Sequence, residues 1–169
     1  LPIMKGTLSI DVNHQQRRHL IRGMWNFENS NAFPSQRFEL VRNLARDEDE
    51  TKLPVDGEFH GSFRLAYIRV TSKGKRKERS KVIPETGVAI KFTKVDKKDE
   101  YKVVGKGTNQ FGVFHIEGTA TPTADPNDPT MRIICRKRYE PGTAAVAPVD
   151  NGLKAKKTKE PAVVEPEAS

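Results

Sequence analysis

The segment FHGSFRLAY, residues 59–67, carries an apolar or small residue at every second position, with mainly polar residues between. That period of two matches a β-strand, in which successive side chains point to opposite faces of the sheet. One face of such a strand is buried and the other meets solvent. The segment therefore predicts a half-buried strand rather than a helix.

The same alternation recurs along the chain and predicts an all-β fold. Eight strand candidates lie near residues 5–11, 19–27, 36–42, 58–70, 86–95, 100–107, 111–120 and 130–139. Short polar linkers join them, which favours a meander of sequential strands. We therefore expect an antiparallel up-and-down β-barrel of about eight strands, with a two-sheet sandwich as the alternative. Helix is expected only as short pieces, over 42–50 and 11–20.

Composition divides the chain into two parts. Residues 1–140 are expected to form the barrel domain, whereas residues 141–169 contain no aromatic residue and are rich in Pro, Ala, Lys and Glu. Such a segment buries too little apolar surface to offset the entropy of ordering its backbone, so we expect a disordered tail. No run approaches the roughly 18 apolar residues that a membrane helix needs. Cys135 is the single cysteine and can form no internal disulfide.

Positive charge is concentrated in the middle of the chain. Residues 51–100 hold thirteen Lys and Arg against seven Asp and Glu, which is +6 of the total +8. The run over 73–81 has no apolar residue and indicates a solvated basic loop. We expect it to bind a polyanion, helped by the tail. The candidate residues are Lys73, Lys75, Arg76, Lys77, Arg79 and Lys81 in the run, and Lys156, Lys157 and Lys159 in the tail.

No motif fixes a reaction, a cofactor or a metal. The glycine-rich segment 105–112 lacks the Gly-Lys-Ser/Thr order of a phosphate-binding loop and favours a hairpin. The four histidines show no metal-like spacing, and Cys135 has no second cysteine for a zinc site. A buried strand cysteine is the simpler interpretation of Cys135 than a nucleophile. We therefore expect no catalytic residue, no metal and no cofactor. An enzyme ranks third among the functions considered, after an interaction module and a carrier of a small ligand.

Two short motifs resemble those of calycins, the lipocalin and avidin group. Gly23-Met24-Trp25 is similar to their Gly-x-Trp signature, and residues 57–61 are similar to the Gly-x-Phe-x-Gly strand of avidin-type members. The resemblance implies a barrel in which Trp25 packs against an Arg of the last strand, here Arg136 or Arg138, with the guanidinium on the indole face. An ordinary core aromatic is the alternative interpretation of Trp25.

Taken together, these observations favour a non-enzymatic barrel that acts as an interaction module. We expect an acidic partner, either protein or nucleic acid, and no membrane partner. The expected setting is an intracellular assembly, with the nucleus as one candidate compartment. The absence of an apolar N-terminal stretch is the reason for the intracellular expectation. The alternative is a calycin-like carrier of a small apolar ligand. The residues expected to form the barrel core or line that cavity are Trp25, Phe38, Phe63, Val103, Phe114, Arg136 and Arg138.

Overall fold

The computed structural model describes residues 1–12, 15–28 and 34–142 of the chain, and these residues contain eight β-strands and no helix. The strands are β1 (Pro2–Asp11), β2 (Arg18–Phe27), β3 (Gln36–Asn43), β4 (Gly57–Val70), β5 (Arg76–Lys94), β6 (Tyr101–Asn109), β7 (Gly112–Pro122) and β8 (Met131–Tyr139). The predicted tail lies outside the described residues from 143 onward. Lys156, Lys157 and Lys159 belong to that part.

Each strand pairs antiparallel with the next one in the chain, and β8 returns to pair with β1. The predicted eight-stranded up-and-down barrel is therefore confirmed, and the sandwich is excluded. The apolar set of each strand faces the inside, where it forms one continuous core. Full closure leaves no exposed sheet edge around the barrel wall.

The short helices expected over 42–50 and 11–20 are wrong for the described residues, and residues 13 and 14 lie outside that part of the chain. Asp11 ends β1, Arg42 belongs to β3, and the residues after β3 form turns. Side chains hold those turns in place: Arg17 donates hydrogen bonds of 2.8–2.9 Å to the carbonyls of Ala45, Arg46 and Glu48. These bonds satisfy backbone acceptors without a helix.

The barrel has two different ends. At one end the segment between β3 and β4 covers the core, because Leu53 packs against the core cluster and Asp56 accepts a hydrogen bond from the Phe92 amide at 2.8 Å. We call this the covered end. At the other end β1, β3, β5 and β7 begin and the remaining strands finish. We call that end the mouth.

A two-stranded hairpin projects from the mouth. The pairing of β3 with β4 stops at Phe38–Phe63, and β5 pairs with β6 only from Thr86 onward. Beyond those points β4 and β5 continue to pair with each other as far as Val70–Arg76. We call this projecting hairpin, residues 64–82, the ribbon.

The ribbon corrects the expected solvated loop over 73–81. Only residues 71–75 form the turn, and β5 begins at Arg76 rather than near residue 86. The turn is closed by a 2.8 Å hydrogen bond from the Thr71 amide to the Lys75 carbonyl, with Gly74 at a φ of 79°. Backbone pairing with β4, rather than burial of apolar side chains, makes this basic segment a strand.

Candidate functional site at the barrel mouth

The register of the ribbon sorts its side chains onto two faces. Phe63 pairs with Ile83, and both are buried in the barrel, so every second residue from them lies on the same inner face. The inner face comprises Leu65, Tyr67 and Arg69 from β4, paired with Lys81, Arg79 and Lys77 from β5. Four cations therefore share one face of a narrow hairpin.

An aromatic ring lies within this cationic face. Tyr67 is paired with Arg79, and the Lys81 ammonium lies 5.7 Å from the centroid of the Tyr67 ring. Closer to the barrel, Leu65 packs against the core cluster. The inner face thus changes along its length, from apolar beside the mouth to cationic at the tip. Sequence reasoning missed this arrangement because Tyr67 and the basic run meet only through strand pairing.

The other residues of the basic run occupy different places. Lys73 and Lys75 lie in the exposed turn at the tip, and Arg76 lies on the outer face. That outer face also carries exposed apolar side chains, Ile68, Val70 and Val82, and the basic Arg64. The inner and outer faces therefore present different chemistry to a partner.

Below the inner face, the mouth contains a cavity of about 20 Å³. Its lining residues are Pro2, Met4, Trp25, Phe27, Phe38, Phe63, Glu85, Lys137 and Tyr139. A space of this size holds about one water molecule or one methyl-sized group. Of the residues expected to line a ligand cavity, Trp25, Phe38 and Phe63 line it, whereas Val103 and Phe114 are buried elsewhere in the core.

Trp25 is 5% exposed and connects the barrel to the ribbon. Its indole ring makes edge-to-face contacts with Phe27 and Phe63, at centroid distances of 5.3 and 5.6 Å. The indole Nε1 donates a 2.8 Å hydrogen bond to the carbonyl of Arg64, the first residue of the ribbon. Trp25 lies near the end of β2, at the mouth of the barrel.

The expectation that Arg136 or Arg138 lies in the core beside Trp25 is wrong. Both side chains are exposed, and Arg136 donates a 3.2 Å hydrogen bond to Glu28 at the barrel surface. Among the described residues, the lysine or arginine that is buried inside the barrel is Lys137, the residue between them. Met131, Ile133 and Cys135 face inward, and the period of two assigns Lys137 to the same side.

Lys137 is held by an acidic partner and aromatic rings. Its ammonium donates a hydrogen bond to Glu85 and lies 4.3 Å from the ring centroids of both Phe63 and Phe114. Asn109 donates a 2.9 Å hydrogen bond to the same Glu85 oxygen. Burial lowers the pKa of Lys137, and the Glu85 carboxylate opposes that shift. A buried charge of this kind is tolerated only when it is paired.

A second buried polar group lies near the covered end. His19 is fully buried, with Nε2 3.0 Å from the Glu50 carbonyl and Nδ1 3.3 Å from an Arg42 guanidinium nitrogen. Arg42 also donates a 2.5 Å hydrogen bond to Glu48. Burial, and then the nearby Arg42 charge, lower the pKa of His19. This network fastens the segment between β3 and β4 to the barrel.

The groups that could take part in metal or thiol chemistry can be located in the described residues. Within residues 1–12, 15–28 and 34–142, no cluster of His, Cys, Asp or Glu could hold a metal ion. Burial raises the pKa of the Cys135 thiol to about 12, so its reactive thiolate is scarce at neutral pH. The glycine-rich segment forms the predicted hairpin, in which Asn109 pairs with Gly112. In the same described ranges, no helix is long and apolar enough to cross a membrane.

Comparison with known proteins gives no match: no family model, no curated protein and no solved structure matches this chain.

Proposed function

We propose that this protein is a non-enzymatic binding module that holds an acidic macromolecule, protein or nucleic acid, against the inner face of its ribbon. The observation that carries the proposal is the strand register, which gathers Arg69, Lys77, Arg79 and Lys81 on one face. Arg69 and Lys77 lie directly opposite each other on β4 and β5, and like charges in that position repel one another. An acidic partner would relieve that repulsion, and an electrostatic face of this kind also speeds encounter with such a partner.

The finer parts of the proposal are the barrel type and the cellular setting. The closed antiparallel barrel of eight strands supports a calycin-like barrel. The basic balance of the chain, with a net charge of +8, supports a place in an intracellular or nuclear assembly, where polyanions are abundant.

The carrier alternative receives less support from the mouth cavity. Pockets for small molecules usually enclose about 300–1,000 Å³. The cavity here measures about 20 Å³, and the buried side chains of Phe38, Phe63 and Lys137 are among those that line it. A side-chain-filled barrel fits a module that binds on its outside.

A salt titration on two polyanions, duplex DNA and poly-glutamate, tests the proposal. The inner-face variant is Lys77→Ser with Arg79→Ser, and the matched control is Arg64→Ser with Arg76→Ser, which removes the same charge from the outer face. On DNA, log K should fall linearly with log salt, and the inner-face variant should flatten the slope by about 1.8, or 0.9 for each lost phosphate contact.

The control variant should keep the slope of the wild type within about 0.5, because its two guanidinium groups point away from the bound polymer. If the two double variants changed the salt slope equally, binding would depend on net charge alone, and this would contradict the assignment of the site to the inner face. No binding of either polymer at low salt would overturn the proposed function.

A further inference from the structure

One edge of the ribbon has no neighbouring strand among the described residues. The residues of β5 before Thr86 form strand pairs only with β4, so the backbone groups that point away from β4, on Arg76, Glu78, Ser80 and Val82, have no described strand beside them. The backbone N–H and C=O groups on that side are a template for another extended chain. A nucleic acid has no amide backbone that could continue this ladder.

The side chains next to this edge determine which chain it accepts. Lys77, Arg79 and Lys81 lie on the inner face at every second position, about 6.6–6.8 Å apart along the strand. An added strand has the same repeat, so its inner side chains would stand beside these cations. The same edge of a second copy would bring cations against cations, which is destabilising. Acidic side chains at alternate positions are complementary.

The end of the edge nearest the barrel calls for different chemistry. There the inner face consists of Leu65 and the buried Phe63 and Ile83, and it leads into the mouth cavity of about 20 Å³. A methyl-sized group can enter such a space, but a nucleobase cannot. A phosphodiester chain would also bring a charge to this apolar end, because every nucleotide carries one.

We infer that the acidic partner is an extended peptide that adds a strand to the β5 edge at residues 76–83, with acidic side chains at alternate positions beside the inner-face cations and a small apolar side chain at the mouth. The inference rests on the proposed function and names the class of its partner. It depends on the spacing of the acids and on the peptide backbone, and not only on net charge.

Three synthetic peptides of equal charge test it against the full chain by fluorescence anisotropy. The first has one valine and three glutamates at alternate positions, separated by threonines. The second has the same composition with its glutamates in one block. The third is the first peptide with methyl groups on every second backbone nitrogen. It is made in two versions, so that each version blocks the N–H groups along one of the two edges of the extended peptide. The first peptide should bind at least tenfold more tightly than the block peptide, and one N-methylated version should lose at least tenfold.

A charge-swapped variant provides a positive control. Lys77→Glu with Arg79→Glu changes two exposed side chains, so the barrel should stay folded. This variant should lose the acidic peptide and gain affinity for its counterpart with lysines in place of glutamates. Equal binding of the alternate and block peptides, with no effect of N-methylation, would overturn the inference while leaving polyanion binding intact.

Two further results would also reject it. A single-stranded oligothymidine that binds the inner face more tightly than the alternate peptide would assign the face to nucleic acid. Failure of all peptides, DNA and poly-glutamate to bind would remove the proposed function as well. The two failures are therefore distinguishable.

Discussion

Lys137 on β8 donates a hydrogen bond to Glu85 on β5 across the inside of the barrel, where the two side chains are 6% and 1% exposed. The strands that carry them are not neighbours in the sheet. The pair therefore ties together two distant parts of the barrel wall just below the mouth. Its energetic value depends on both partners being present, because each charge alone would be buried and unpaired.

Removing one partner should cost more than removing both. Lys137→Met leaves the Glu85 carboxylate buried without its cation and should lower the free energy of unfolding by about 3–5 kcal/mol. The double variant Lys137→Met with Glu85→Leu should lie within about 2 kcal/mol of the wild type or exceed its stability. Urea denaturation of the three proteins measures both values. A double variant as unstable as the single one would contradict this account.

Trp25 should contribute through packing and through one hydrogen bond to the ribbon. Trp25→Phe keeps an aromatic ring but leaves the Arg64 carbonyl without its donor, which should cost about 1–3 kcal/mol. Trp25→Ala should cost about 3–5 kcal/mol because it also empties the space between Phe27 and Phe63. Denaturation curves give both numbers. The wild-type emission maximum should be that of a buried indole, and a fully hydrated spectrum would refute the packing.

Stability should fall as the pH drops below the usual His19 pKa of 6.5. Because the folded-state pKa is lowered, the unfolded chain binds the proton first, so stability is complete above 6.5 and declines towards the folded pKa. A proton on Nδ1 would face the Arg42 guanidinium. Thermal melts between pH 5 and 7.5 should show this slope in the wild type and a flatter one in His19→Gln. Identical slopes in the two proteins would show that a group other than His19 causes the pH dependence.

Gly23 should tolerate no side chain. A Cβ there would lie 2.0 Å from the Lys5 carbonyl oxygen and 2.5 Å from the Gly6 Cα, both on the backbone of β1. Gly23→Ala should therefore force β1 and β2 apart and cost at least about 2 kcal/mol. Gly105→Ala is the comparison, since its nearest neighbours lie at 3.3 Å, and should cost less than about 1 kcal/mol. Comparable losses in chemical denaturation would argue against close strand approach.

The strands could be predicted because a half-buried strand alternates visibly in sequence. The same rule would have placed Lys137 inside, since it shares parity with Ile133 and Cys135. The family resemblance instead implies a cation beside Trp25 at Arg136 or Arg138, and both of these lie on the exposed face of β8. A buried lysine is acceptable only with Glu85, and no local pattern connects these two residues.

The ribbon could not be predicted from the sequence for a different reason. Residues 76–82 extend past the barrel, where there is no core to select apolar side chains, so the segment looks like a loop in sequence. Its conformation comes from pairing with β4, and its inner face exists only because Tyr67 meets Arg79 in that register. The composition of the segment predicts the positive charge of the site. The shape of the site follows only from the pairing of β4 with β5, which composition does not show.

The closure of the barrel also constrains how the chain reaches this structure. Seven of the eight strand pairs join neighbours along the chain, but the eighth brings Leu8 beside Met131 and Ile3 beside Arg136. Pairs of strands that are neighbours in the chain can form locally. The pairing of β1 with β8, which we call the seam, can form only when almost the whole domain is in place, and closing so long a loop carries the largest entropic cost of the eight strand pairs. The seam should therefore set the folding rate, in the millisecond-to-second range typical of barrels rich in non-local pairing. Until it forms, β1 and β8 are both open edges, and the unfinished sheet is the species most exposed to aggregation.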